Sequence, residues 1–237
     1  MTPRHHLKDV SVLPVAEEHE LIAQAVAGEG VAFEVLMRRH NQLLFRTAYS
    51  ILQSETDAED AVQEAYLRAW RALGSFRSES RFSTWLVRIV TNEALGRVRR
   101  TRTQVIPLEA AMTSPDSAAQ AALTSDSEHD PEQSAVRAQA RTFMENRIDL
   151  LPDVYRTVFM LRAVEDMSVA EVAEALDIPE ATVRSRYFRA RGLLRESLGG
   201  QPETALGEVF AFDGTRCDRL VANVLAKARA EGLCGGS

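Results

Sequence analysis

Apolar residues recur along most of this chain at spacings of three and four positions, which is the period of an amphipathic helix. Alternating strand-type runs are scarce, and the commonest residues, alanine, arginine, leucine and glutamate, are good helix formers. The helical pattern covers about 19–103 and about 134–199, and a shorter amphipathic stretch follows at about 217–231. The sequence therefore predicts an all-α protein.

The segment 104–133 interrupts this pattern with prolines, serines, threonines and acidic residues, and it contains no lysine or arginine. Such a composition is typical of a flexible acidic linker. We therefore expect two small helical domains, 19–103 and 134–199, joined by this linker. A tail, 1–18, precedes them, and an extension, 200–237, follows them with one amphipathic helix.

The second domain contains a predicted helix-turn-helix. Ser168 and Glu171 form a capping box, the motif in which a serine and a glutamate cap the same helix start. A break at 177–179 precedes a second helix, 180–198, whose outer faces carry five arginines. This arrangement is typical of a helix that enters the major groove of duplex DNA. An ordinary helical hairpin with a solvated arginine face is the alternative.

The first domain contains an acidic helix. Five of the ten residues in 55–64 are acidic and none is basic. One face of this helix is a predicted core stripe, formed by Val62, Ala65, Tyr66, Ala69 and Leu73. A second face carries acidic residues and ends in Leu67 and Trp70, which we expect to be exposed. This face favours docking of another protein, although a solvated acidic face is also open.

Aromatic residues and arginines alternate just after this helix, from Phe76 to Trp85. Between Arg77 and Arg102 there are seven arginines and two acidic residues, a local charge of +7 − 2 = +5. Bases of single-stranded nucleic acid stack on aromatic rings while arginines follow the backbone. The alternative is that Phe82 and Trp85 are core residues.

The remaining composition narrows the function classes. The net charge of −6 hides the segregation of arginine into these two helical segments. The five histidines show no ligand or catalytic spacing, and there is no glycine-rich phosphate loop, so we expect neither an enzyme nor a cofactor. No apolar run suits a membrane span or a signal peptide, which favours a soluble cytoplasmic protein.

The extension after residue 199 has two open interpretations. Its apolar residues, which include Phe210, Phe212 and Leu220, can dock a helix on one of the domains, either as plain packing or to mask a functional surface. Cys217 and Cys234 are either reduced thiols without a function or a redox pair. Two thiols without further ligands are weak evidence for zinc, so no metal site is expected.

Two stretches resemble a known family. The run 57–73, the run 82–89, Asn92 and the run 97–100 resemble region 2 of bacterial RNA polymerase sigma factors. The runs beginning at Leu150, Ser168 and Ala181 resemble sigma region 4. The small size and the missing intermediate domain are similar to the extracytoplasmic-function (ECF) group. The chain departs from this pattern at Gly96, where the family often has aspartate.

The resemblance implies a sigma factor that binds core RNA polymerase through the clamp helices of the largest subunit and the flap, binds promoter DNA, and has an anti-sigma factor as a partner. The implied polymerase contacts are Asp57, Asp60, Gln63, Glu64, Leu67 and Trp70. The implied contacts with the melted −10 element are Phe76, Arg77, Ser80, Arg81, Phe82, Trp85, Arg88, Asn92, Arg97, Arg99 and Arg100. The implied contacts with the −35 duplex are Ser168, Thr182, Arg184, Ser185, Arg186, Arg189 and Arg191.

Two other functions compete with this one. A helix-turn-helix regulator that acts without polymerase would explain the second domain alone. A sigma mimic that titrates an anti-sigma factor would be expected to lack the DNA-facing arginines, which are present here.

Overall fold

The computed structural model describes residues 15–104, 131–198, 209–212 and 214–233, and all regular secondary structure among them is helical. The all-α fold class is therefore confirmed. Among these helices none is long and apolar enough to cross a membrane. Most of the predicted tail and linker, together with residues 199–208, lies outside the described residues.

Four helices form the first helical unit: α1 (Val15–Val26), α2 (Gly30–Leu52), α3 (Glu55–Ala72) and α4 (Phe82–Gln104). Ser54 caps α3 because its side chain accepts a hydrogen bond from the backbone N–H of Asp57. The predicted core stripe of α3 is buried against α2 and α4, as expected from its spacing. Helix α1 begins at Val15, four residues before the predicted start of the domain.

The second helical unit contains α5 (Pro131–Asp149), α6 (Asp153–Phe159), a π-helical turn (Met160–Val164), α7 (Val169–Leu176) and α8 (Glu180–Leu198). Both halves of the predicted capping box at Ser168 and Glu171 are present. Asp177 adopts the left-handed conformation with φ of 53° and ends α7, because this conformation cannot continue a right-handed helix. The predicted bounds of the helix-turn-helix are therefore confirmed.

The two helical units pack directly against each other. Val87 of α4 is buried in one apolar cluster with Val158, Val172 and Val183 of the second unit. The Arg46 guanidinium, which is only 4 % exposed, forms an ion pair with Glu165 at 2.7 Å. The same apolar cluster brings α7 of the second unit against α4 of the first.

The C-terminal extension touches both units. Val209 is buried in the core of the second unit, whereas the ring of Phe212 stacks on Phe45 of the first unit at 4.4 Å. Helix α9 (Gly214–Ala230) then packs against α2 and α3. The structure confirms the amphipathic helix that the sequence predicts at about 217–231, and this helix begins three residues earlier, at Gly214.

Candidate nucleic-acid interface

Helix α8 presents one apolar face and one basic face. Val183, Ala190, Leu194 and Leu198 are buried, as their spacing predicts. Among the predicted −35 contacts, Arg184, Ser185, Arg189 and Arg191 are exposed, and Thr182 and Arg186 are partly buried. The Ser185 hydroxyl donates to the Thr182 carbonyl at 3.0 Å, which keeps it close to the helix. The basic face is open to a ligand along its length.

Ser168 lies at the start of α7, where its hydroxyl oxygen accepts from the backbone N–H of Glu171 at 3.2 Å. The Glu171 carboxylate accepts from the backbone N–H of Ser168 at 2.7 Å and pairs with Arg81 at 3.2 Å. Burial alone raises the pKa of Glu171, but the hydrogen bonds with Ser168 and the charge of Arg81 outweigh burial and lower it. Glu171 therefore stays ionised and holds the cap together.

Phe188 is a candidate site residue that the sequence pattern did not single out. Its side chain is 81 % exposed on α8, and it lines a shallow pocket with Arg184, Arg191 and Tyr187. The guanidinium of Arg191 lies 5.9 Å from the centre of the Tyr187 ring, a cation–π distance. The sequence does contain a signal for Phe188, because it is an apolar residue that lies outside the buried stripe of an arginine-rich helix.

Helix α4 carries a second basic row. Arg88, Asn92 and Arg99 are exposed and follow one another on one side of the helix, with the partly buried Trp85 on the same side. The exposed Arg81, directly before α4, extends this row. In the loop before α4, Arg77 is exposed, whereas Phe76 and Ser80 are partly buried. These residues form a continuous surface of arginines and one accessible tryptophan.

Phe82 does not belong to this surface. Its side chain is 2 % exposed and packs in the core, with its ring centre 5.4 Å from that of Phe76 and 5.5 Å from that of Trp85. The expectation of a ring available to bases is wrong for Phe82, because its position on α4 points towards the apolar core of the first unit. Phe82 supports the two neighbouring rings instead.

A buried carboxylate organises the end of α4. Glu93 is 3 % exposed and pairs with Arg97 at 3.0 Å, with Arg100 at 3.3 Å and with Arg68 of α3 at 2.8 Å. Three cations offset the desolvation of one buried carboxylate. Arg97 and Arg100, both predicted −10 contacts, are therefore positioned by Glu93, with Arg100 still 62 % exposed.

The predicted docking face of α3 is only partly exposed. Asp57 and Asp60 are exposed, and Gln63 and Glu64 are partly buried. Leu67 and Trp70 are 2 % and 5 % exposed, and the Trp70 ring stacks on Phe33 at 4.1 Å. The prediction of an exposed leucine and tryptophan is wrong because both side chains enter a core to which α2, α3 and α9 contribute.

Within the described residues, no group of three or more histidine, cysteine or acidic side chains is arranged to hold a metal ion. Cys217 is a free, partly buried thiol whose sulfur accepts from the side-chain amide of Asn41 at 2.9 Å. Cys234 lies outside the described residues, so the predicted redox pair stays a prediction.

The fold and the two basic helices define a class of two-part, helical DNA-binding proteins, and comparison with known proteins identifies the family. Residues 36–104 match the Sigma-70 region 2 model, and residues 144–194 match the Sigma-70 region 4 model. The chain belongs to the ECF RNA polymerase sigma factors, as the relatives and the solved structure described next also indicate.

ECF sigma factor SigW of Bacillus subtilis (strain 168) is 32% identical over 177 residues, which span 75% of this chain and 94% of SigW. SigM of Mycobacterium tuberculosis (strain ATCC 25618 / H37Rv) is 37% identical over 181 residues, or 76% of this chain and 84% of SigM. The structure of CnrH in complex with the cytosolic domain of CnrY is similar with a TM-score of 0.52 and 28% identity, covering 78% of this chain and 99% of CnrH. The resemblance to ECF sigma factors is therefore confirmed, while the roles of individual site residues stay predictions.

Proposed function

We propose that this protein binds core RNA polymerase and directs transcription initiation at specific promoters, with α8 on the −35 duplex and α4 on the melted −10 strand. The observation that carries this proposal is the pair of exposed arginine rows on α8 and α4 in one chain. The protein acts by binding and performs no bond chemistry, so it needs no cofactor. It acts where the polymerase and the chromosome are, in the cytoplasm.

The amino end of α8 supplies the base contacts in this proposal. Thr182, Arg184, Ser185 and Arg186 lie in its first two turns, the part of a recognition helix that meets base edges. Arg189 and Arg191 lie further along and contact phosphates, which fix the register of the helix on the duplex. The exposed Phe188 ring lies between them and suits an apolar contact with a thymine methyl group.

The row on α4 captures the unpaired strand. Trp85 offers a ring for a base to stack on, and Arg81, Arg88 and Arg99 follow the sugar–phosphate backbone beside it. Binding of the open strand pulls the equilibrium between paired and melted promoter towards the melted state, because the duplex form lacks these contacts. The catalytic metal that joins nucleotides belongs to the polymerase.

The acidic residues of α3 hold the polymerase in this proposal. Asp57 and Asp60 are exposed, and Glu64 is partly buried beside Arg68 at 3.4 Å. Carboxylates on one helix face suit a basic partner surface, which steers association. CnrH was solved in complex with the cytosolic domain of CnrY, and we propose that this chain also has a protein partner, an anti-sigma factor.

Run-off transcription with core polymerase on a library of genomic fragments tests the function. We expect defined transcripts that depend on this protein and share one promoter pattern. Arg186→Ala should lower promoter affinity by about tenfold, because loss of one base contact costs about 1–3 kcal/mol. Arg229→Ala, a change of an exposed arginine on α9, is the matched control and should have no effect.

Other outcomes of this experiment distinguish the competing functions. Sequence-specific DNA binding without any association with core polymerase would identify a helix-turn-helix regulator and contradict the proposal. Absence of both DNA binding and polymerase binding would instead favour a sigma mimic. Unchanged transcription by Arg186→Ala would show that α8 is placed wrongly as the base-reading helix.

A further inference from the structure

Helix α9 lies along α3 from one end to the other. At the amino ends of both helices, Glu59 of α3 pairs with Arg216 at 3.0 Å and with Arg219 at 2.7 Å. At the carboxyl ends, Arg71 of α3 pairs with Glu231, just beyond α9, at 2.6 Å. Because amino end meets amino end and carboxyl end meets carboxyl end, the two helices run side by side in the same direction.

The ion pairs mark which face of α3 lies under α9. Glu59, Gln63, Leu67 and Arg71 follow one another at four-residue intervals, so they form one row along α3. The first and the last member of this row are bound to the α9 segment. Gln63 and Leu67, which lie between them, are therefore beneath α9. Both are among the polymerase contacts that the resemblance to sigma region 2 implies.

Apolar packing continues the same contact. Leu220, Val221, Val224, Leu225 and Ala228 of α9 are buried in one cluster with Leu67 and Trp70. The indole N–H of Trp70 is also buried, and no acceptor for it is present among the described residues. A buried donor without an acceptor is unfavourable, and departure of α9 would let this donor reach water or a partner's acceptor. Trp70, a third predicted polymerase contact, is buried in the same cluster as α9.

The outer ion pairs of the contact, formed by Arg71 and Arg219, are weak enough to be exchanged. The side chains of Arg71 and Arg219 are 42% and 59% exposed, and exposed ion pairs add little stability. The α9 helix is also a separate, C-terminal element that the Sigma-70 region models, which end at residue 194, do not include. Departure of α9 would also expose Leu67 and the apolar residues of α9, so a partner that replaces α9 must cover this apolar surface in its place.

We propose that α9 is an intramolecular occupant of the polymerase-docking face of α3, and that core RNA polymerase must displace it to bind. This inference rests on the proposed function, because it assumes that the Gln63–Leu67–Trp70 face contacts the polymerase. The extension then sets the affinity of the chain for core polymerase: the more stably α9 is docked, the weaker the binding.

Charge reversal at both ends of α9 tests this inference in the full-length chain. Arg219→Glu with Glu231→Arg places like charges opposite Glu59 and Arg71 and keeps the net charge constant. We expect this variant to bind core polymerase about tenfold more tightly, because loss of two exposed pairs together shifts the docking equilibrium by about one order of magnitude. The matched control, Arg229→Glu with Glu20→Arg, reverses two exposed charges, one on α9 outside its ion pairs with α3 and one on α1, and should leave the affinity within about twofold.

Hydrogen exchange on the unaltered protein gives a second measurement that requires no variant. Upon addition of core polymerase, the amides of α9 should lose protection while those of α8 keep it. An unchanged affinity of the charge-reversal variant, or α9 amides that stay protected in the complex, would overturn the inference and leave the proposed function intact. Failure of the unaltered protein and both variants to bind core polymerase would overturn both.

Discussion

Helices α3 and α8 are of similar length, and each carries a dense run of one charge. Their outer faces differ, however, in how far the rest of the chain covers them. The basic face of α8 is open, and even its apolar residue Phe188 is 81 % exposed. On α3 the acidic edge is open, whereas the adjoining apolar residue Leu67 is 2 % exposed. Helix α9 packs on α3, whereas the main contacts of α8 are with α5, α6 and α7.

The basic face of α8 is therefore accessible to a ligand, whereas the outer face of α3 is only partly accessible. Residues of the open α8 face contribute little to folding, so changes there should alter binding alone. Residues of the covered α3 face are part of a core, so changes there should alter stability first.

The largest effect should be on the stability of the protein, for a change at a buried residue of α3. Leu67→Ala should lower the free energy of unfolding by about 2–5 kcal/mol, because it removes a buried side chain and leaves a cavity. Urea denaturation followed by circular dichroism measures this loss. A change of less than about 1 kcal/mol would mean that the α3–α9 face is loosely packed or open in solution.

Phe188→Ala is the matched change on α8. It should shift the free energy of unfolding by no more than about 0.5 kcal/mol, because the ring is almost fully exposed. The same variant should weaken promoter binding if the ring contacts a thymine methyl group, as proposed. Strong destabilisation by Phe188→Ala would contradict the contrast between the two helices.

The open and the covered faces also differ in how far the sequence predicts them. The apolar period places Val183, Ala190 and Leu194 inside, and the capping box fixes the start of α7, because these signals are local. The same period places Leu67 on a second face, outside the core stripe of α3, but its side chain is buried in the same cluster as that stripe. The period does not reveal that α9, about 150 residues further along the chain, covers Leu67, because contacts between distant segments leave no local pattern.

The next largest effect should be on the salt dependence of promoter binding. Arg189→Ala on α8 should weaken binding to all promoter sequences by a similar factor and reduce the slope of log affinity against log salt by about 1, because one phosphate contact is lost. Filter binding of the reconstituted holoenzyme at several salt concentrations measures both. Arg229→Ala, which removes an exposed arginine of α9, is the control and should leave the slope unchanged.

A smaller difference is expected between the helix caps of the two helical units in how much each contributes to stability. Ser168→Ala should cost about 1 kcal/mol, because Ser168 and Glu171 satisfy each other's backbone N–H groups at 3.2 and 2.7 Å. Ser54→Ala, at the start of α3, should cost less, since its hydrogen bond with Asp57 is 3.3 Å long and no reciprocal bond is formed. Thermal denaturation of the two variants compares them. A larger loss for Ser54→Ala would contradict this order.

Gly96 departs from the family pattern, and its replacement should have the smallest effect of these changes. A side chain added at Gly96 would meet only the flexible ends of Arg100 and Arg99, at 3.6 and 3.9 Å, which are ordinary contact distances. Gly96→Ala should therefore stabilise α4 by about 0.5–1 kcal/mol, because glycine is a poor helix former. Its effect on −10 recognition should be small as well, since Arg99 and Arg100 only need to shift their side chains. Destabilisation in urea would show that the two arginines are held more tightly at Gly96 than these distances indicate.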